Sequence, residues 1–250
     1  LGGHVCTWFL NKILLFSSPG VSVNSDVSLQ KRIIGGHGCD DTERLYHVRL
    51  EITIFKGTAI CGGSLIHPQW ILTAADCWKS NTGTNIAVVK VHPRTGTPQG
   101  HRVTNNPVLY TDNGQKHDIM LLKLPKPVTD VPLAPLPDCS NRPKVGDIVQ
   151  LAGEGAMTTG TKNRTEHGRM LCKFVSSISF YSNQKTFRFY NINISIQIFL
   201  QGDAGGAVVL NGTIYGVISV GGSHFPCKKP VSIMDVCEYI GWIKTTTGAK

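Results

Sequence analysis

Several acidic residues lie in short runs of small residues and stand out from a chain otherwise sparing in charge. Asp76 lies in Leu72-Thr73-Ala74-Ala75-Asp76-Cys77, and Asp118 in His117-Asp118-Ile119-Met120-Leu121. Asp203 belongs to the glycine-rich Gly202-Asp203-Ala204-Gly205-Gly206, and the dibasic Lys31-Arg32 precedes Ile33-Ile34-Gly35-Gly36. A carboxylate can accept a proton, but an ordinary pKa of about 3.9 makes it a poor base at neutral pH. The methyl of Ala204 has no lone pair with which to attack a carbonyl. Ser64, Ser219, His67, His92 and His117 are other hydroxyls and imidazoles. They would form a hydrolytic set only with nucleophile, base and orienter aligned within about 3 Å. The eight cysteines do not form C-x-x-C pairs with histidines, which suits disulfides in an oxidising compartment better than zinc. Neither a metal nor another cofactor is expected.

These residues need a scaffold of many short elements. The chain has 250 residues, 41% hydrophobic, 8% aromatic and 16% charged. That is enough for one large domain or two small ones, and it excludes disorder, collagen and coiled coil. Gly 27 and Pro 13 are scattered between short apolar runs, which predicts turns between strands. The expected strands are 48–55, 64–73, 86–91, 119–124, 147–152, 206–210 and 213–220, a spacing that argues a sandwich or barrel. Ile233, Val236, Ile240 and Ile243 recur at three- and four-residue steps and predict one amphipathic helix over 232–246.

Residues 1–20 read as a signal-peptide remnant, apolar through Phe16 and then small, and 21–32 as a short pro-segment. Asn11 and Lys12 break the apolar run, well short of the about 20 residues a membrane span needs. Secretion to the extracellular space is expected, and the sequons at Asn163, Asn193 and Asn211 are candidate glycosylation sites consistent with it. Lys+Arg 25 against Asp+Glu 16 gives +9, which permits an acidic polysaccharide as partner. Two groups could form a basic patch, Arg44, His47, Arg49 and Lys56, and Lys162, Arg164, His167, Arg169 and Lys173. Scattered solvated cations are the plainer reading. A protein partner is the other class considered, and no nucleic acid is expected.

In chain order, Ile33–Gly36, Cys61-Gly62-Gly63-Ser64-Leu65, Leu72–Cys77, His117–Leu121 and Gly202–Gly206, with a terminal helix behind, come in an order that resembles the trypsin/chymotrypsin family of serine endopeptidases. The resemblance runs from about Arg32 to Thr246. It implies an all-β fold of two six-stranded antiparallel β-barrels with a C-terminal helix, over a domain at 33–250. It further implies a cleft holding a nucleophilic Ser, a general-base His and an orienting Asp, the serine-protease triad that serves as the general template for such sites. On this chain the base position holds Asp76 and the nucleophile position Ala204, so Asp118 alone is retained. Asp76 and Asp118 should lie close, sharing a proton or drawing in a cation, with no third ligand to complete a metal site. Gly202 and Ala204 match the oxyanion-hole donors, whose backbone N–H groups need no side chain. Asp203 matches the partner of the ammonium that cleavage at Arg32–Ile33 would create. That pair is either a zymogen-like ordering switch without catalysis or a packing remnant.

By the same resemblance Ile198 floors the specificity pocket, beside Ser219 and Gly221, and attracts no cation; Val220 stands at a usual Trp position. The segment 179–200 is the least family-like part. The implied disulfides are Cys39–Cys172, Cys61–Cys77 and Cys139–Cys237. Val149 and Leu210 replace one further pair, and Leu200 leaves Cys227 without an evident mate. The expectation is a secreted pseudoenzyme, a trypsin-like homologue acting by binding as protease cofactor, scavenger or polyanion binder. The rivals are a serine endopeptidase with a relocated nucleophile and a degenerate gene product.

Overall fold

The computed structural model describes residues 37–54, 57–79, 84–154, 170–176, 178–181, 186–189, 203–219 and 232–249. The strands are β1 (His37–Gly38), β2 (His47–Ile54), β3 (Gly57–His67), β4 (Trp70–Thr73), β5 (Asn85–Val89), β6 (Gln99–Arg102), β7 (Val108–Asp112) and β8 (Gln115–Lys123). They continue as β9 (Ile148–Gly153), β10 (Leu171–Ser176), β11 (Ile178–Tyr181), β12 (Thr186–Phe189), β13 (Ala207–Leu210), β14 (Thr213–Ser219) and β15 (Ser232–Asp235), before the helix α1 (Val236–Thr247). Two antiparallel sheets result. The first has the order β6-β5-β2-β3-β4-β8-β7, the second β1-β10-β9-β13-β14-β15-β12-β11. They carry seven and eight strands where six each were expected, because short segments add themselves at the edges, the two-residue β1 and the four-residue β11 in the second sheet.

Two of the expected elements are corrected. The run 64–73 is a hairpin rather than one strand: β3 and β4 pair, with Ser64 opposite Leu72 and His67 opposite Trp70. The fixed φ and missing N–H of Pro68 place the turn there. The helix starts later than 232, since Ser232–Asp235 is a strand between β14 and β12. Asp235 then caps α1, its carboxylate accepting from the Cys237 N–H at 3.0 Å. Gly248, at φ 73°, ends it by donating to the Lys244 carbonyl.

One apolar cluster runs through Leu65, Ile71 and Ile119 of the first sheet, Val209 and Val217 of the second, and Tyr239 and Ile243 of α1. Each such side chain contributes about 1.5–3 kcal/mol by leaving water. Along β2, Val48, Leu50 and Ile52 point into this core, as alternation predicts. The other face of β2 is not simply solvent-facing: His47 and Arg49 are buried too. The three expected disulfides form, spanning 133, 16 and 98 residues for Cys39–Cys172, Cys61–Cys77 and Cys139–Cys237. Closing such loops limits the unfolded chain by about 2–4 kcal/mol each.

Candidate functional site

The end of β4 leads into a single 3-10 turn, Ala75–Cys77, which carries Asp76. The Cys61–Cys77 bridge pins this turn to β3. Asp118 arrives on β8, Ser219 ends β14, and residues 203–206 form the turn that enters β13. The Asp76 backbone N–H donates to Asp118 Oδ1 at 2.8 Å, and Ser219 Oγ donates to Asp118 Oδ2 at 2.5 Å. Burial raises the Asp118 pKa, and the nearby Asp76 charge adds to the rise. The Ser219 hydroxyl and the N–H groups of Asp76 and Ala75 pull it down without cancelling burial, so the carboxyl sits above its usual range. Asp76 itself is exposed.

The 203–206 turn is held by backbone. The Gly62 N–H donates to the Ala204 carbonyl at 2.7 Å, the Gly205 N–H to the Ile218 carbonyl at 2.8 Å, and the Gly206 N–H to the Asp203 carbonyl at 3.1 Å. Gly205 lies at φ +81°, and a Cβ there would stand 2.2 Å from both the Gly62 carbonyl oxygen and Thr73 Oγ1. No side chain larger than hydrogen fits. Thr73 Oγ1 also donates to that Gly62 carbonyl at 2.7 Å, which ties β4 to the β3 residue whose N–H holds the turn. Asp203 is fully buried, its Oδ1 2.2 Å from where a Gly153 Cβ would stand. Ala204, half-buried, presents only a methyl group.

The other hydroxyl and imidazole candidates are placed apart from this group. His67 Nδ1 accepts the Gln69 N–H within the β3–β4 hairpin, and His92 Nε2 bonds the Asp40 carbonyl at 2.8 Å. His117 Nδ1 lies 2.8 Å from the Tyr239 hydroxyl, edge-on to Tyr110. Ser64 is buried in β3. Asn211 sits exposed at the tip of the β13–β14 hairpin, at φ 49° and followed by Gly212 at φ 81°, the left-handed pair that a two-residue hairpin turn favours. Arg32, Ile33, Lys56, Ile198, Gly202, Val220, Gly221, Asn163, Asn193 and Cys227 lie outside the described residues, as do Lys162, Arg164, His167 and Arg169 and the side chain of Lys173. Of the other basic group, Arg44, His47 and Arg49 are buried. They form no surface patch, because their charges face protein groups across the seam between the sheets.

Sequence reasoning missed Thr73 as a strut of the turn and Glu154 as the buried partner of His47 and Arg49. Nothing in the single residue Glu154 signals burial. Among the described residues no three His, Cys, Asp or Glu side chains are grouped to hold a metal ion, and no helix is long and apolar enough to cross a membrane.

The family model described as Trypsin matches residues 33–243. This chain belongs to the trypsin family. Trypsin I-P1 of Gallus gallus is 30% identical over 249 residues, covering 94% of this chain and 97% of its own. Serine protease 1 of Canis lupus familiaris is 30% identical over 247 residues, covering 92% and 96%. Among solved structures, that of GrC superposes at TM-score 0.69 with 23% identity, over 86% of this chain and 99% of its own. The scabies mite inactivated protease paralogue S-I1 superposes at 0.65 with 21% identity, over 86% and 99%. Those two likenesses are of fold. The two sheets and the terminal helix are thus the trypsin-family architecture on this chain.

Proposed function

We propose that this trypsin-family protein is catalytically silent and acts outside the cell by binding a partner in or beside its cleft. The observation that carries this reading is the set of donors around Asp118. Among the described residues they are the backbone N–H groups of Asp76 and Ala75 and the Ser219 hydroxyl. None is an imidazole. In the triad template the orienting carboxylate holds a histidine in the right tautomer, and that histidine takes a proton from serine. Here Asp76 replaces the histidine and Ala204 the serine, and a methyl group forms no acyl-enzyme. Removing such a triad costs about 10⁶ in turnover, with a residual of roughly 10³–10⁴ over water left to oxyanion and binding contributions. Ser219, whose hydroxyl points its proton at Asp118 with no intervening base, is not activated as a substitute nucleophile.

The backbone of the 203–206 turn is held without the lost side chains. The Ala204 backbone keeps its place through Gly62 and Thr73, so the retained surface suits recognition of a protein. An acidic polysaccharide is the less supported partner, because Arg44, His47 and Arg49 are buried. Disulfides and the exposed sequon at Asn211 support an extracellular, glycosylated protein. Residues 1–20 as a signal remnant, 21–32 as a pro-segment and cleavage at Arg32–Ile33 belong to the same proposal. The full burial of Asp203 is the setting in which a new Ile33 ammonium would stabilise most.

The test is treatment of the secreted, Arg32-cleaved protein with a fluorophosphonate probe, followed by heparin-agarose chromatography over a salt gradient. No label and early elution are expected, leaving a protein as the partner class. Labelling would establish a relocated nucleophile instead, and late elution would restore the polysaccharide.

A further inference from the structure

Two polar clusters cross the seam between the sheets, and they differ in kind. In the first, Arg44, just ahead of β2, donates from Nε to Gln150 Oε1 at 3.1 Å and from Nη2 to the Gln150 carbonyl at 3.2 Å. Its Nη1 reaches the Tyr46 hydroxyl at 3.2 Å, and Gln150 Nε2 donates to Glu43 Oε2 at 3.1 Å. Its direct acceptors are neutral. In the second, His47 Nε2 stands 3.3 Å from Glu154 Oε1, Arg49 Nη1 donates to Glu154 Oε2 at 3.1 Å, and Arg49 Nε donates to Glu51 Oε1 at 2.9 Å. The side chains of His47 and Glu154 are 2% and 3% exposed, so neither group has much water to fall back on.

Each end of the second cluster is one residue removed from the 203–206 turn. His47 Cε1 lies 3.2 Å from where a Gly62 Cβ would stand, and the Gly62 N–H holds the Ala204 carbonyl. Glu154 follows Gly153, against which Asp203 Oδ1 is packed. We propose that His47, Arg49 and Glu154 form an acid-released latch, which joins β2 to the end of β9 and steadies the 203–206 turn while Glu154 is ionised.

The groups facing Glu154 are His47 and Arg49 from β2, with Glu51 behind Arg49, and Asp203 on the far side of Gly153. The strands paired with β2 place uncharged residues opposite, Ser64 and Gly62 on β3 and Val88 on β5. Burial pushes the Glu154 carboxyl up, but the hydrogen bonds and charges of His47 and Arg49 outweigh it and hold the carboxyl below its ordinary 4.5. A depressed carboxyl contributes stability that is present above its unfolded value and lost as pH falls through its lower folded value. Release therefore falls below pH 4.5. A proton on Glu154 leaves the buried Arg49 with Glu51 as its remaining anion, so the guanidinium loses one of its two partners.

The deciding experiment is amide exchange on the full chain at about pH 7 and about pH 3.5, corrected for intrinsic rates, with Glu154→Gln alongside. In the wild type, exchange at Gly205 and Gly206 should rise on acidification, by about tenfold at most, ahead of the strands β3 and β8. Glu154→Gln should exchange faster than wild type at these amides at neutral pH and show little further rise with acid. Uniform loosening of both sheets in the wild type would overturn the proposal, and so would an acid response in Glu154→Gln equal to that of the wild type. The wild-type exchange map alone decides the matter if the variant does not fold.

Discussion

Asp118 and Glu154 are two carboxylates withdrawn from water, and burial pushes both pKa values upward. They end on opposite sides of the ordinary value. Glu154 meets a guanidinium and an imidazole, which more than repay its desolvation. Asp118 meets two backbone N–H groups, one hydroxyl and the repulsion of Asp76, which do not. The residue that would have done for Asp118 what His47 does for Glu154 is an imidazole at position 76, where this chain has a carboxylate. One region therefore pairs its carboxylate with Arg49 and His47 and joins the sheets, while the other holds its carboxylate with backbone N–H groups and a hydroxyl among the described residues.

Breaking the frame should cost most. Gly205→Ala puts a Cβ into the Gly62 carbonyl at a positive φ, and it should lose more than about 4 kcal/mol or fail to fold, read by denaturant unfolding. Next comes the latch: Glu154→Ala strands Arg49 and His47 without their shared anion, and should lose about 3–5 kcal/mol by the same measurement at neutral pH. Thr73→Val keeps the shape but leaves the Gly62 carbonyl one donor short, a loss of about 1–3 kcal/mol.

The smallest effect sharpens the comparison by its sign. Asp118 has a raised folded pKa, so its ionisation costs stability, an expense absent below its ordinary 3.8 and complete above the folded value. Asp118→Asn removes that cost while the Ser219 hydroxyl can turn to suit the amide. Thermal melts across pH should show the variant gaining on wild type as pH rises out of the acid range, by about 1 kcal/mol or less. Glu154→Gln should move the other way over its own window.

How far these regions were legible beforehand differs for physical reasons. The strands with apolar alternation, 48–55 and 213–220, were readable because one face must meet the core. The hairpin within 64–73 is hard to see because apolar residues flank Pro68 on both sides, and Ser232–Asp235 reads as helix because Ile233 fits a helical period as well as a strand's. Asp76, Asp118 and Ala204 are singled out by motif order. The buried face of β2 is not, since His47 and Arg49 alternate with apolar residues as a solvated face would, and only the fold brings Glu154 across from β9.

The central claim is that the chemistry is missing at positions 76 and 204 while the frame around them stands. The direct test is fluorophosphonate labelling of the Arg32-cleaved wild type beside the double variant Asp76→His with Ala204→Ser. The account predicts no label on the wild type and a clear label on the double variant, because the restored imidazole finds Asp118 and the restored hydroxyl sits on a turn already fixed by Gly62 and Thr73. A labelled wild type, or a folded double variant that takes no label, would contradict it.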